Sequence, residues 1–159
     1  MMVVTVDAES GELAIFDRNS GVDLVDAATA AISLPGAGPT HIINGRRYIS
    51  GGVRSVDNAD LAAGYAKIIV LSPFSQRTGP LPAGQFEGLR RPPGADLASE
   101  VESLRDAGSR VEVVTPDTES RAAMGINQMD PATRIPSARA GFAQGRREAG
   151  RLVFLADPL

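Results

Sequence analysis

The chain contains no cysteine, so neither a disulfide framework nor a thiolate metal site can form. A reducing compartment is compatible with this composition. Histidine occurs once, as His41, and because zinc sites combine several histidine and cysteine ligands, zinc is poorly supported. We predict no metal and no cofactor, and expect His41 to be solvated or hydrogen-bonded on an edge strand. A Ser-His-Asp triad through His41 is the alternative, but no pattern positions its partners.

Aromatic residues make up only 4% of the chain, whereas the apolar fraction is 43%. The core must therefore consist mainly of valine, leucine, isoleucine and alanine, which favours helices packed on an aliphatic sheet. A chain of 159 residues is long enough to bury such a core, so we predict a single domain over residues 1–159.

Membrane and secretion signals are also missing. No apolar run approaches the roughly 18 residues of a membrane-spanning helix, and no signal peptide opens the chain. The 16 basic and 19 acidic residues leave a net charge of -3, which does not provide the basic surface that nucleic acids require. We therefore expect a cytoplasmic protein with at most peripheral membrane contact and no nucleic-acid partner.

The chain opens with a predicted β-hairpin. Two apolar runs, Met2–Val6 and Leu13–Phe16, flank a turn over Glu9–Glu12. A buried strand with no preceding residues is typical of a sequence that begins inside a domain.

A capped helix is predicted next. Ser20 and Asp23 match the S-x-x-D capping pattern, and the helix must end before Pro35. Its buried face is predicted from apolar residues at helical spacing. These residues are Val22, Val25, Ala28 or Thr29, and Ile32. The segment Gly36–Pro39 is interpreted as a loop, because a phosphate-binding loop would follow a strand and precede a helix.

The most informative stretch is the hairpin and corner around residue 50. Asn44 and Gly45 are a strong two-residue hairpin signal, since both central residues of such a turn need positive φ. The arm Arg46–Ile49 then places Ser50 where a strand ends. The pair Gly51–Gly52 follows, which allows a backbone conformation or a close approach that a Cβ would prevent. Side chains at such a corner are often functional.

Three segments of the chain resemble the patatin-like phospholipases, a family of serine acyl hydrolases. The motif Tyr48-Ile49-Ser50-Gly51-Gly52-Val53, followed by Asn58-Ala59-Asp60-Leu61-Ala62 and an apolar strand, is similar to that family's second catalytic segment. The helix end Ala30–Gly36 and the segment Gly125–Pro131 resemble two further family segments. Together they cover roughly the C-terminal half of a patatin domain.

The resemblance implies a mechanism, and this chain departs from it. In that family a serine on a G-x-S-x-G turn attacks a lipid ester carbonyl, an aspartate of an Asp-Gly-Gly or Asp-Gly-Ala motif takes the proton, and backbone amides hold the oxyanion. Here Ser50 stands where the aspartate is expected, with Gly51 and Gly52 as the motif backbone. Ala31 replaces a serine near the family's active site, and the chain has neither G-x-S-x-G nor a glycine-triplet loop.

A parallel βαβ unit is predicted beyond the corner. Asn58 caps a short helix to Ala63, in which we interpret Asp57 and Asp60 as structural. The aliphatic run Lys67–Leu71 predicts a central strand buried on both faces. A helix capped by Asp96 and a further strand complete the unit. The helix presents Leu97, Val101 and Leu104 on one face and ends at Gly108, and the strand is Val111–Val114.

Two segments of the second half have open interpretations. Residues 72–94 contain five prolines and no periodic pattern, which indicates a disordered insertion or, less favoured, a lid that touches lipid through Phe86, Leu89, Arg90 and Arg91. The last helix is predicted from Ser137 to about Val153, with Phe142, Ala149 and Leu152 inward. A solvated face is favoured over anionic-lipid contact for its arginines, which are Arg139, Arg146, Arg147 and Arg151.

The predicted fold is α/β, a partial three-layer patatin-like fold with a mainly parallel sheet, helices on both faces and a β-hairpin. The leading functional hypothesis is a patatin-like lipid acyl hydrolase by family that is inactive as this C-terminal portion. Its expected partners are a lipid or ester substrate, a missing N-terminal half, or a second copy that covers the exposed sheet edge. The alternative is a non-catalytic lipid-binding or protein-interaction module, and a nucleotide-binding module ranks last.

Overall fold

The computed structural model describes residues 1–74, 94–127 and 130–155, with side chains up to 153. These residues belong to two compact units of mixed α and β structure. The first unit contains residues 1–61 and 94–101, and the second contains residues 62–74, 102–127 and 130–155. Most of the predicted proline-rich loop, including Phe86, Leu89, Arg90 and Arg91, lies outside the described residues.

A four-stranded antiparallel sheet forms the first unit. Its strands are β1 (Val3–Asp7), β2 (Leu13–Phe16), β3 (His41–Ile43) and β4 (Arg46–Ser50), in the spatial order β2-β1-β4-β3. Both predicted hairpins are confirmed. Asn44 and Gly45 have φ angles of 49° and 80°, as a two-residue hairpin turn requires.

Asp7 connects the two hairpins at the end of β1. Its buried carboxylate accepts hydrogen bonds from the backbone N–H groups of Ser10 and Glu9, both at 2.9 Å. It also forms an ion pair with Arg46, at 2.7 Å. The two backbone bonds, with the Arg46 charge as a smaller cause, lower the pKa of Asp7. The turn between β1 and β2 is therefore held by a carboxylate that stays ionised.

Helix α1 (Leu24–Ile32) packs on one face of this sheet, through a different surface from the predicted one. Ala27 and Ala30 are buried, whereas Val25 is 72% exposed and Ile32 is 76% exposed. Phe16 and Tyr48 already fill this sheet face, with their rings edge to face at 5.1 Å. Small alanines therefore let the helix approach them closely. The prediction of an inward Val25 and Ile32 is wrong.

The predicted cap of α1 is also wrong in detail. Asp23, not Ser20, is the N-cap, and its carboxylate accepts from the N–H of Val25. Ser20 instead donates its hydroxyl hydrogen to Asp17, 3.0 Å away. Both residues therefore bond locally, and only the aspartate is in register with the first helical turn.

A two-stranded parallel sheet belongs to the second unit. Strands β5 (Lys67–Leu71) and β6 (Arg110–Val114) pair in parallel, as predicted. Helix α2 (Leu97–Asp106) lies between them in the chain, with Asp96 accepting from the N–H of Ser99 at its start. Gly108, at a φ of 93°, follows its end. These local predictions are confirmed.

The prediction of a mainly parallel sheet is wrong for the part of the chain that the structure describes. Four strands are antiparallel and two are parallel, because short turns join β1 to β2 and β3 to β4, and a tight turn can connect only antiparallel neighbours. Leu71 is exposed, and β6 is the one strand paired with β5 in the described ranges. β5 is therefore not buried on both faces there.

The second unit ends in two helices that sequence reasoning described incompletely. Helix α3 (Thr118–Met124) was not predicted, although its N-cap Asp117 was a readable signal. Helix α4 (Arg134–Glu148) begins earlier than predicted and continues as a 3-10 helix over Ala149–Leu155. Phe142 and Ala149 were predicted inward but are exposed, and Leu152 is half-buried.

Gln144 is the buried residue that attaches α4 to the rest of this unit. Its Oε1 accepts from the N–H of Asp117 at 3.1 Å and from the hydroxyl of Ser120 at 2.8 Å, while its Nε2 donates to the carbonyl of Thr115 at 2.7 Å. One amide thus satisfies three polar groups, so α4 buries a hydrogen-bonding residue where an apolar one was expected.

No helix among the described residues is long and apolar enough to cross a membrane.

Substituting Gln144→Met should lower the free energy of unfolding by about 2 kcal/mol, because it leaves buried donors and acceptors without partners. Urea denaturation followed by circular dichroism would measure the loss. Phe142→Ala on the exposed side of α4 is the control and should change stability by less than about 0.5 kcal/mol. Equal stability of the two variants would show that the Gln144 bonds do not hold α4.

Candidate functional site

Ser50 lies at the corner where β4 ends. It is 8% exposed, and its hydroxyl accepts a hydrogen bond from the N–H of Gly52 at 3.2 Å. Its own N–H donates to the carbonyl of Ser33, the residue that ends α1, at 2.9 Å. The corner therefore joins β4 to the end of α1, and it holds Ser50 inside the unit.

Gly51 makes the close approach that the sequence predicted for this glycine pair. A Cβ on Gly51 would lie 2.7 Å from both the carbonyl oxygen and Cγ1 of Val4 on β1, a distance that real Cβ atoms do not adopt. A Cβ on Gly52 would lie 3.3 Å from the hydroxyl of Ser50 alone. Since neither glycine has a positive φ, space and not backbone conformation requires glycine at residue 51.

The carbonyl of Gly51 accepts three hydrogen bonds from the loop that follows it. It accepts from the N–H groups of Arg54 at 3.0 Å and Ser55 at 3.2 Å, and from Nδ2 of Asn58 at 3.3 Å. Nδ2 of Asn58 also donates to the carbonyl of Ser55 at 2.6 Å. The prediction that Asn58 caps the following helix is wrong. Its side chain donates to carbonyls of the preceding loop instead of accepting from the helix, and its φ is 49°.

An ion pair closes this loop. Arg54 donates to both carboxylate oxygens of Asp60, at 3.0 and 2.5 Å, and to Oδ1 of Asn58 at 2.9 Å. The Arg54 hydrogen bonds lower the pKa of Asp60, and the bond to Asp60 raises the pKa of Arg54. Asp60 lies in a 3-10 helix over Ala59–Ala62, so its position agrees with the predicted structural role.

Glu100 joins this cluster from α2, and sequence reasoning missed it. It is 5% exposed, and its Oε2 accepts from the N–H of Ala59 at 2.9 Å. Its charge is a further, smaller cause of the raised pKa of Arg54. A signal was available, because Glu100 shares the buried face of α2 with Val101 and Leu104 at helical spacing.

His41 lies apart from these residues, on the edge strand β3 as predicted. Its Nε2 pairs with Oδ1 of Asp26 on α1 at 2.9 Å. In the described part of the chain, no histidine, carboxylate or amine side chain bonds to the hydroxyl of Ser50. The structure therefore does not bring the candidate triad partners together.

The chemistry available at the corner is limited. Among the described residues, no basic side chain hydrogen-bonds to the Ser50 hydroxyl, and a serine nucleophile needs such a base to remove its proton. Among residues 1–74, 94–127 and 130–155, no three histidine, aspartate or glutamate side chains are grouped so that they could hold a metal ion. The corner is thus a hydrogen-bonded polar loop that buries the hydroxyls of Ser50 and Ser55.

Substituting Gly51→Ala should destabilise the protein by about 2 kcal/mol, because the new methyl group overlaps the backbone of Val4. Gly52→Ala is the matched control, since its methyl meets only a side-chain hydroxyl. Thermal melts of the two variants give the comparison. If Gly51→Ala melts within a degree of Gly52→Ala, the close approach to β1 does not constrain the corner.

Asp60→Asn should reduce stability near pH 7 by about 1 kcal/mol, a value that allows for the partial exposure of the pair. Because folding lowers the pKa of Asp60, its contribution is fully present above the ordinary carboxyl pKa and declines as the pH falls below about 4. Urea midpoints of wild type and variant should therefore converge in acid. Asp57→Asn is the control, and a constant difference between Asp60→Asn and wild type across this pH range would contradict the ion-pair assignment.

Comparison with known proteins adds no relative. No protein-family model matches the chain, and no curated protein matches it. The resemblance to the patatin-like family therefore rests only on sequence motifs, namely the residues around Ser50, the end of α1 and the segment that begins at Gly125.

Proposed function

We propose that this chain is the C-terminal portion of a patatin-like serine acyl hydrolase and that it does not hydrolyse lipid esters by itself. The supporting observation is the corner at Ser50, where a buried polar side chain at a strand end accepts the N–H of Gly52. A carboxylate at residue 50 could accept the same N–H and would meet the requirement for an ionised base.

A second observation joins two of the three segments that carry the resemblance. The N–H of Ser50 donates to Ser33, which lies in the helix end Ala30–Gly36. In the resembling family both segments approach one active site. This contact between residues separated by 17 positions supports the proposal.

The lack of activity follows from the chemistry of the substituted residue. A neutral hydroxyl has no appreciable proton affinity near pH 7, whereas an ionised carboxylate can act as a base. Losing a positioned base costs roughly 10²- to 10⁴-fold in rate. The chain also has no G-x-S-x-G serine, so the proposed nucleophile belongs to another segment.

The surrounding loop would still hold a restored carboxylate in place. Asn58 and the Arg54–Asp60 pair bind the turn that follows the corner, and Glu100 binds the next helical turn from α2. Functional groups need such supporting bonds to remain in a productive geometry.

The test is complementation. The chain is co-expressed with an N-terminal half of a patatin-like hydrolase that carries G-x-S-x-G, and the co-purified complex is assayed by fluorophosphonate labelling and p-nitrophenyl butyrate hydrolysis. Ser50→Asp should produce labelling and turnover at least about 100-fold above the Ser50 complex, which is the contribution of a positioned base.

Val56→Asp is the matched control, because it adds a carboxylate six positions away on a partly exposed residue. If Ser50→Asp gives no more labelling than Val56→Asp in a co-purified complex, the proposed role of residue 50 is wrong. Labelling of any serine in the isolated wild-type chain would overturn the proposal that this chain is inactive.

A further inference from the structure

The exposed surface of helix α4 includes a row of two apolar and two basic side chains. Ile135, Arg139, Phe142 and Arg146 are spaced by four, three and four residues, which places them on one side of a helix. Ile135 is 65% exposed and Phe142 is 70% exposed, and both arginines are exposed. Buried Gln144 lies on the opposite side. We call these four residues the outer row.

The two arginines of the outer row differ in their pairing from Arg147 and Arg151. Arg147 pairs with Asp117 and Glu119, and Arg151 pairs with Glu148. Within the described residues, neither Arg139 nor Arg146 forms an ion pair. Among the described residues, two cations without an ion-pair partner therefore flank an exposed aromatic ring, a combination that is complementary to a surface carrying both negative charge and apolar groups.

We propose that the outer row docks on an anionic phospholipid bilayer. Basic side chains beside exposed apolar ones allow a helix face to combine attraction to anionic headgroups with burial of apolar groups at the membrane interface. The guanidinium groups would bind lipid phosphates, and Ile135 and Phe142 would insert between the headgroups. The row is about 16 Å long, from 1.5 Å of rise per residue, so all four side chains reach one leaflet.

Charge and area argue against other occupants. Pairing with a second copy would bring four arginines into one interface, and the outer row contains no acidic side chain to balance them. A stable protein partner buries about 800 Å² on each side, more than four side chains on a convex helix provide. A flat anionic surface avoids both difficulties. This proposal depends on α4 alone and does not require the function proposed for Ser50.

The experiment is sedimentation of the full chain with sucrose-loaded vesicles of phosphatidylcholine, with or without about 30% phosphatidylserine. Wild type should bind only the anionic vesicles at about 50 mM salt and dissociate at about 500 mM. Arg139→Gln with Arg146→Gln should lower the partition coefficient about 30-fold, since each arginine near the surface contributes about 1 kcal/mol.

Arg18→Gln with Arg47→Gln is the matched control, because it removes the same charge from exposed positions in the other unit. Phe142→Ala and Ile42→Ala form the corresponding apolar pair, and only the first should weaken binding. No binding of wild type to anionic vesicles would overturn the proposal. So would equal losses in the two double variants, or binding that is unchanged by Phe142→Ala.

Site-specific fluorescence separates docking through α4 from general attraction. The chain has no cysteine, so Ala138→Cys beside the outer row and Ala28→Cys on α1 each accept one environment-sensitive dye. Anionic vesicles should shift the emission to the blue only for the dye at position 138. A shift of equal size at both positions, or concentration-dependent dimerisation that quenches the position 138 dye without vesicles, would overturn bilayer docking.

Discussion

The close approach of Gly51 to Val4 is the contact on which the first unit depends. With no Cβ at residue 51, the chain leaves β4 directly against the backbone of β1. The carbonyl of Gly51 can then accept bonds from Arg54, Ser55 and Asn58. Ser50 becomes buried as a consequence, because the corner folds over it. Aliphatic packing surrounds this contact but does not by itself define the corner.

The polar cluster beside the corner follows from burying irregular backbone. Backbone groups that leave a sheet lose their ladder partners and must find others when water is excluded. Asn58 supplies donors to two carbonyls, and Glu100 supplies an acceptor to the N–H of Ala59. Arg54 and Asp60 neutralise each other nearby. Unpaired polar backbone groups would destabilise the buried loop. The side chains that pair with them therefore also fix its conformation.

The two proposals concern different units and different physical properties. The proposal for Ser50 concerns proton affinity, since it assigns to a carboxylate the position that a hydroxyl occupies here. The proposal for α4 concerns charge and exposure, because the helix buries a polar glutamine and presents Ile135 and Phe142 to solvent. A helix attached through Gln144 hydrogen bonds has no need of a large apolar face for its attachment. Its apolar side chains thus remain available for another surface.

The sequence by itself determined the features that depend on neighbouring residues. Asn44–Gly45 predicted the turn between β3 and β4, Asp96 and Gly108 predicted the ends of α2, and both hairpins follow from local patterns. The tertiary structure alone decided which face of α1 is buried, because Ala30 packs against Tyr48 and Phe16 on distant strands. It also brought Glu100 to Ala59 across 41 positions and exposed Phe142. Such outcomes depend on the side-chain sizes and the unpaired polar groups of residues far away in the sequence. The periodicity of one segment carries no information about those residues.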